Sequence, residues 1–174
     1  MKRRNGITAG VLLVLVVSVL IPASAAGKQR AANAKLVGTW MLVSADNVFP
    51  DGRRVQVYGP EPQGILIFDA AGHYSLHIYR NGRLKFAAND KAKGSPEENQ
   101  SAVQGSNTHF GRYTVNESDA SINFHIDHAL FPNWEGTEQK RSFRIVNGRL
   151  TYIVATPTTG GIAALGEVVW QRAK

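Results

Sequence analysis

Thr137-Glu138-Gln139-Lys140-Arg141-Ser142-Phe143-Arg144-Ile145-Val146-Asn147-Gly148-Arg149-Leu150-Thr151-Tyr152-Ile153-Val154-Ala155 is the stretch whose reading decides the fold. Asn147-Gly148 accepts positive φ at both central positions, as a type I′ turn requires. The residues on either side have strand character, so a hairpin of Thr137–Val146 and Leu150–Ala155 is expected. Working towards the N-terminus, the Phe131-Pro132-Asn133-Trp134 corner leads into this hairpin. Before it, Ser121–His128 and His109–Val115 read as strands joined by a turn at Asn116–Asp119.

Further out, Gly64–Phe68 and His73–Arg80 form a hairpin about Asp69-Ala70-Ala71-Gly72, and Leu36–Ser44 is a first strand. Pro50-Asp51-Gly52 and Gly59-Pro60-Glu61-Pro62 punctuate the chain between them. Gly166–Arg172 closes the chain after a loop at Pro157–Gly161. Leu84–Gly105 breaks the strand pattern and reads as an inserted lid or loop. Within it, Ser95-Pro96-Glu97-Glu98 is a helix start: a serine cap, proline at the first turn and a glutamate completing a capping box. That helix is expected to run to about Val103. The expected fold is therefore all-β, an antiparallel barrel of about eight strands with one short inserted helix, since closure leaves no free edges. Such a barrel either fills itself with side chains or holds one small ligand.

Residues 1–25 read as a signal peptide: Lys2-Arg3-Arg4, then an apolar run from Ile7 to Ile21, then Pro22-Ala23-Ser24-Ala25 with small residues before a cut. The run is shorter than the roughly 20 residues of a membrane span. Residues 26–35 are then a polar leader and 36–174 the barrel domain. Export to the periplasm or beyond is expected, with no stable membrane span after cleavage. The chain has no cysteine, which excludes disulfides, a thiol nucleophile and a lipidated cysteine anchor. Its formal charge is +7. Without Lys2, Arg3 and Arg4 of the signal peptide, 20 basic residues become 17 against 13 acidic ones, about +4. The remaining basic residues are scattered, so no nucleic-acid partner is expected.

Leu36-Val37-Gly38-Thr39-Trp40 carries Gly-x-Trp on the first strand. His109-Phe110-Gly111-Arg112-Tyr113-Thr114-Val115, then His125, then Leu130 to Arg141 with its Pro132-Asn133-Trp134-Glu135-Gly136-Thr137 string, is more specific. Together with Gly64–Phe68 and Val169-Trp170-Gln171-Arg172, these resemble the bacterial and fungal lipocalin-like domain family over about Lys35 to Arg172. His109 departs from the pattern, which expects an aromatic residue there. The resemblance implies a lipocalin-type barrel without fixing an activity. It also implies that Trp40 closes one barrel end with Arg172 packed over it.

The candidate chemistry rests on a few side chains. On the strand Ser121–His128, Asn123, His125 and Asp127 alternate with Ile122, Phe124, Ile126 and His128, so one row lines the barrel and the other faces out. If the apolar row fills the interior, the polar row is solvated. If the polar row lines a wet cavity, His125 and Asp127 meet Arg80 or Arg141 and bind a ligand headgroup or exchange protons. Arg80 and Arg141 suit a carboxylate or phosphate. Tyr74, Leu76, Ile78, Phe124, Ile126 and Trp134 are candidate walls, with Trp134 able to cover a mouth. His73, His77 and His125 have no compact metal-ligand spacing, so no metal and no cofactor is expected. No nucleophile motif or phosphate-binding glycine loop is present. The leading reading is a binder of a small apolar or amphipathic molecule. The alternatives are an isomerase or cyclase using His125, Asp127, Arg80 and Arg141, and a protein-interaction module using the Leu84–Gly105 insertion.

Overall fold

A computed structural model describes residues 23–159 and 163–174. The basic start and apolar run of the expected signal peptide (1–22) lie outside the described residues, as do residues 160–162 of the last loop. In chain order the elements are α1 (Ala23–Ala34), β1 (Gly38–Val48), β2 (Arg54–Gln56), β3 (Gln63–Phe68), β4 (His73–Tyr79), α2 (Pro96–Gln104), β5 (Ser106–Asn116), β6 (Ser121–Ala129), β7 (Glu138–Val146), β8 (Arg149–Val154) and β9 (Leu165–Arg172). None of the described helices is long and apolar enough to cross a membrane.

From β3 to β9 each strand pairs antiparallel with the next, and β1 pairs with both β3 and β9. This closes an eight-stranded barrel. β2 is a ninth strand, too short to read from sequence, that pairs with Asp46–Val48 of β1. The β7–β8 hairpin turns where the sequence puts it, with Asn147 and Gly148 at φ 51° and 74°. The α2 capping box also forms: the Glu98 amide donates to Ser95 Oγ at 3.2 Å and the Ser95 amide to Glu98 Oε2 at 2.8 Å.

Two bulges reset which side chains point inward. In β1 the register shifts between Leu42 and Ser44, so Trp40 and then Ala45 and Asn47 are buried. A simple alternation would have placed Asn47 outside. In β6 the partner of Phe110 is His128 while that of Gly111 is Ile126, leaving Asp127 unmatched. The extra residue inverts the alternation. His128 therefore does not share the inward row of Ile122, Phe124 and Ile126. It is exposed, and its ring lies 5.6 Å from that of exposed Phe110.

One barrel end is sealed. Segment 26–35, expected as a polar leader, is mostly helical and docks there, because its polar groups find backbone partners. Gln29 Nε2 donates to the Val115 carbonyl at 3.1 Å, and the Val115 amide donates to Asn33 Oδ1 at 3.2 Å. Ala32, Asn33 and Leu36 are buried beneath. Trp40 is fully buried and its Nε1 donates to the Leu36 carbonyl at 2.8 Å. Arg172 stacks over the indole at 4.1 Å and donates to the carbonyls of Val37 and Lys35, both at 2.7 Å. A guanidinium on an indole contributes about 0.5–2 kcal/mol. Phe68, Tyr113, Ile122 and Trp170 complete the packed core.

Candidate functional site

The other end holds a cavity of about 400 Å³, within the range of small-molecule sites. It is walled by the last residues of β1 and β8, the first residues of β5, β7 and β9, and the segments after β2 and β8. Ala45, Tyr58, Ile78, Trp134, Tyr152 and Val168 give it an apolar surface, and Asn47, Asn107, Gln139 and Arg141 interrupt that surface, with the charged Asp46, Glu138 and Lys140 also in the lining. Thr156–Thr159 form part of its rim, where Asn47 Nδ2 donates to the Thr159 carbonyl at 2.7 Å.

Arg141 is the unusual member. It lies on the inward row of β7 with Gln139, Phe143 and Ile145, and only 5 % of it is exposed. Its guanidinium sits where cavity meets core, 4.6 Å from the Phe124 ring centre and 4.8 Å from that of Tyr152. Nη2 donates to Gln139 Oε1 at 2.7 Å, while buried Nε has no partner. Among the described residues no carboxylate lies within the 4.0 Å of an ion pair. Removing an ion from water costs on the order of several kcal/mol. Two aromatic faces return about 2 kcal/mol or more each in a desolvated place, but they supply no counter-charge.

Behind Trp134 lies a buried aromatic cluster. The Trp134 ring is 5.8 Å from that of His109, edge to face, and His109 is in turn edge to face with Tyr74 at 5.4 Å and Phe124 at 6.4 Å. His109 thus fills an aromatic role at the position where the family pattern expects an aromatic ring. Its Nδ1 shares a 2.8 Å hydrogen bond with the Tyr74 hydroxyl, and Nε2 is buried without a partner. Burial, then the charge of Arg141, then His77 hold its imidazole well below the ordinary range. Burial also pushes the hydroxyls of Tyr58, Tyr74 and Tyr152 up, so they stay protonated. His109 is neutral in the fold but takes up a proton below about pH 6.5 when the chain unfolds. The associated stability is present in full above that pH and is lost as pH falls towards the folded value. We expect acid unfolding to steepen by up to about 1.4 kcal/mol per pH unit below 6.5. His109→Phe is expected to remove that component in urea titrations at pH 7.5 and 5. Equal pH slopes in the two proteins would contradict it.

Of the residues expected at the site, Trp134 and Arg141 line the cavity, as does Ile78. Tyr74 and Leu76 face inward but are packed into the core, 3 % and 1 % exposed, and so support the wall from behind. Arg80 is outside the lining. It is exposed, and its guanidinium donates to the Val57 carbonyl at 3.1 Å, next to the cavity residue Tyr58. His125 and Asp127 lie on the outer wall because their apolar neighbours Phe124 and Ile126 are fully buried. There His125 Nδ1 meets Glu138 at 2.8 Å, and Asp127 sits 3.4 Å from His125 Nε2 and 3.8 Å from Arg112. His125, Asp127, Arg80 and Arg141 therefore do not converge. No cluster of three potential metal ligands occurs among the described residues. The Leu84–Gly105 insertion does expose Leu84 and Val103, but the interaction reading also required a barrel without a cavity.

Sequence reading missed Gln139, Asn107, Tyr58 and Tyr152. Gln139 was findable, since it shares the parity of Arg141 along β7. Asn107 was hidden because β5 begins three residues before the expected strand, at Ser106.

Residues 37–173 match the family model described as a lipocalin-like domain. No curated protein matches the chain.

Proposed function

Since the chain belongs to the lipocalin-like domain family, we propose that it is an exported protein that binds one small amphipathic molecule in the open end of its barrel. The observation that carries the reading is the cavity itself: about 400 Å³, its wall divided about evenly between apolar and polar surface, as an amphipathic molecule requires. The sealed opposite end supports it, because the fold excludes filling from both sides. Export rests on the basic, apolar and small-residue pattern of residues 1–25. A cut after Ala25 would trim only the first residues of α1 and leave Gln29 and Asn33 on the barrel.

Native mass spectrometry of protein recovered from the exported fraction tests both halves. The expected result is a chain beginning at Ala26 with an extra mass that leaves on organic extraction. A bare mass that persists after incubation with lipid extracts would overturn the ligand reading. A mass retaining residues 1–25 would overturn cleavage, and absence of the chain from the exported fraction would overturn export.

A further inference from the structure

Resting on that ligand-binding reading, we infer that the ligand is an organic anion whose acid group is seated against Arg141, with its apolar body running towards Trp134 and the mouth. Four observations meet at this residue. Arg141 is 95 % buried yet borders the cavity. It has no carboxylate partner among the described residues, where Asp46, a buried carboxylate on the same cavity, is paired with Arg54 at 2.8 Å through Oδ2 while its Oδ1 has no partner. Its Nε is buried and unpartnered. Its neighbour Gln139 holds Nη2 through Oε1, which leaves the Gln139 amide NH2 as a further donor on the cavity wall.

An arginine in such a place presents a planar fork of N–H donors that fits a carboxylate or sulfonate in two parallel bonds. A neutral ligand would leave the cation uncompensated. A dianion such as a phosphate monoester would bring more charge than one guanidinium balances. The class is therefore a monoanion with an apolar body. Phe124 and Tyr152 pack against the guanidinium at 4.6 and 4.8 Å and hold it at the cavity wall.

Two fluorescent probes with the same ring system test this. 1-Anilinonaphthalene-8-sulfonate carries the anion; N-phenyl-1-naphthylamine lacks it. The full mature protein is expected to bind the sulfonate more tightly. Arg141→Gln is expected to weaken sulfonate binding by about tenfold or more while leaving the neutral probe within about twofold. Arg141→Lys, which keeps a charge but not the fork, is expected to fall between. Equal affinity of the two probes for the unaltered protein would overturn the anion inference and leave the ligand-binding reading standing. Loss of both probes in Arg141→Gln would also overturn it, since Arg141 would then act only as a wall. Binding of neither probe to the unaltered protein would count against both. Should the variants fail to fold, displacement of N-phenyl-1-naphthylamine from the unaltered protein decides instead. There 2-naphthoate is expected to compete better than 2-naphthalenemethanol, and the reverse order overturns the inference.

Discussion

Trp40→Ala is expected to lower the free energy of unfolding by about 3–5 kcal/mol, the range for truncating a large buried aromatic side chain. The indole is fully buried among Leu36, Leu66, Phe68 and Trp170, so its removal leaves a cavity that rigid strands on all sides cannot collapse to fill. It also withdraws the face on which Arg172 stacks and the donor that meets the Leu36 carbonyl. Denaturant titration of the two proteins measures the loss. A change below about 1 kcal/mol would mean the sealed end is held by α1 and the Arg172–carbonyl bonds alone. Trp40→Phe is expected to recover part of the difference, because an aromatic face remains.

The second large effect is at Gly111. Any Cβ there would run into the His125 carbonyl oxygen and approach the Asp127 amide nitrogen to 2.8 Å. Both obstacles are backbone, so no rotamer change relieves them. Gly111→Val is expected to cost about 3 kcal/mol, at the upper end for overpacking a core. The bulge at Asp127 depends on this close approach. Its loss would slip Asp127 and His128 relative to Phe110 and Gly111 and turn an outer residue inward. Thermal unfolding monitored by circular dichroism measures the cost. An unchanged melting temperature would show that the bulge forms without the glycine.

The strand pattern was legible because turn chemistry is local. Asn147-Gly148, Asp69–Gly72 and the Ser95 capping box each act over a few residues, and each appears where the sequence places it. Inward and outward assignment was legible only up to the first bulge in a strand. Ile122, Phe124 and Ile126 obey the alternation, and His128 does not, because the extra residue is dictated by a partner strand. β2 has three exposed residues and no periodicity to read. The site was half legible for the same reason. Arg141 and Trp134 stood out by type, whereas Asn47 reaches the cavity only through the β1 bulge and Tyr58 lies on irregular chain. His109 was noticed as a departure from a pattern. That it substitutes for an aromatic ring follows only from its neighbours Tyr74, Phe124 and Trp134.

The seam of the barrel sets the order in which the molecule can mature. β1 is hydrogen-bonded along one edge to β9, and Arg172 reaches back to the Val37 carbonyl 135 positions earlier. No stretch emerging from the ribosome can complete this pairing before β9 has emerged. Until then the β1 edge is unpaired and the indole of Trp40 lacks its cover. Long-range pairings of this kind pay their loop-closure entropy before they are rewarded, and they form slowly. The barrel therefore cannot close until β9 has been made. A chain with that timetable can be threaded through a narrow channel without first being pulled apart.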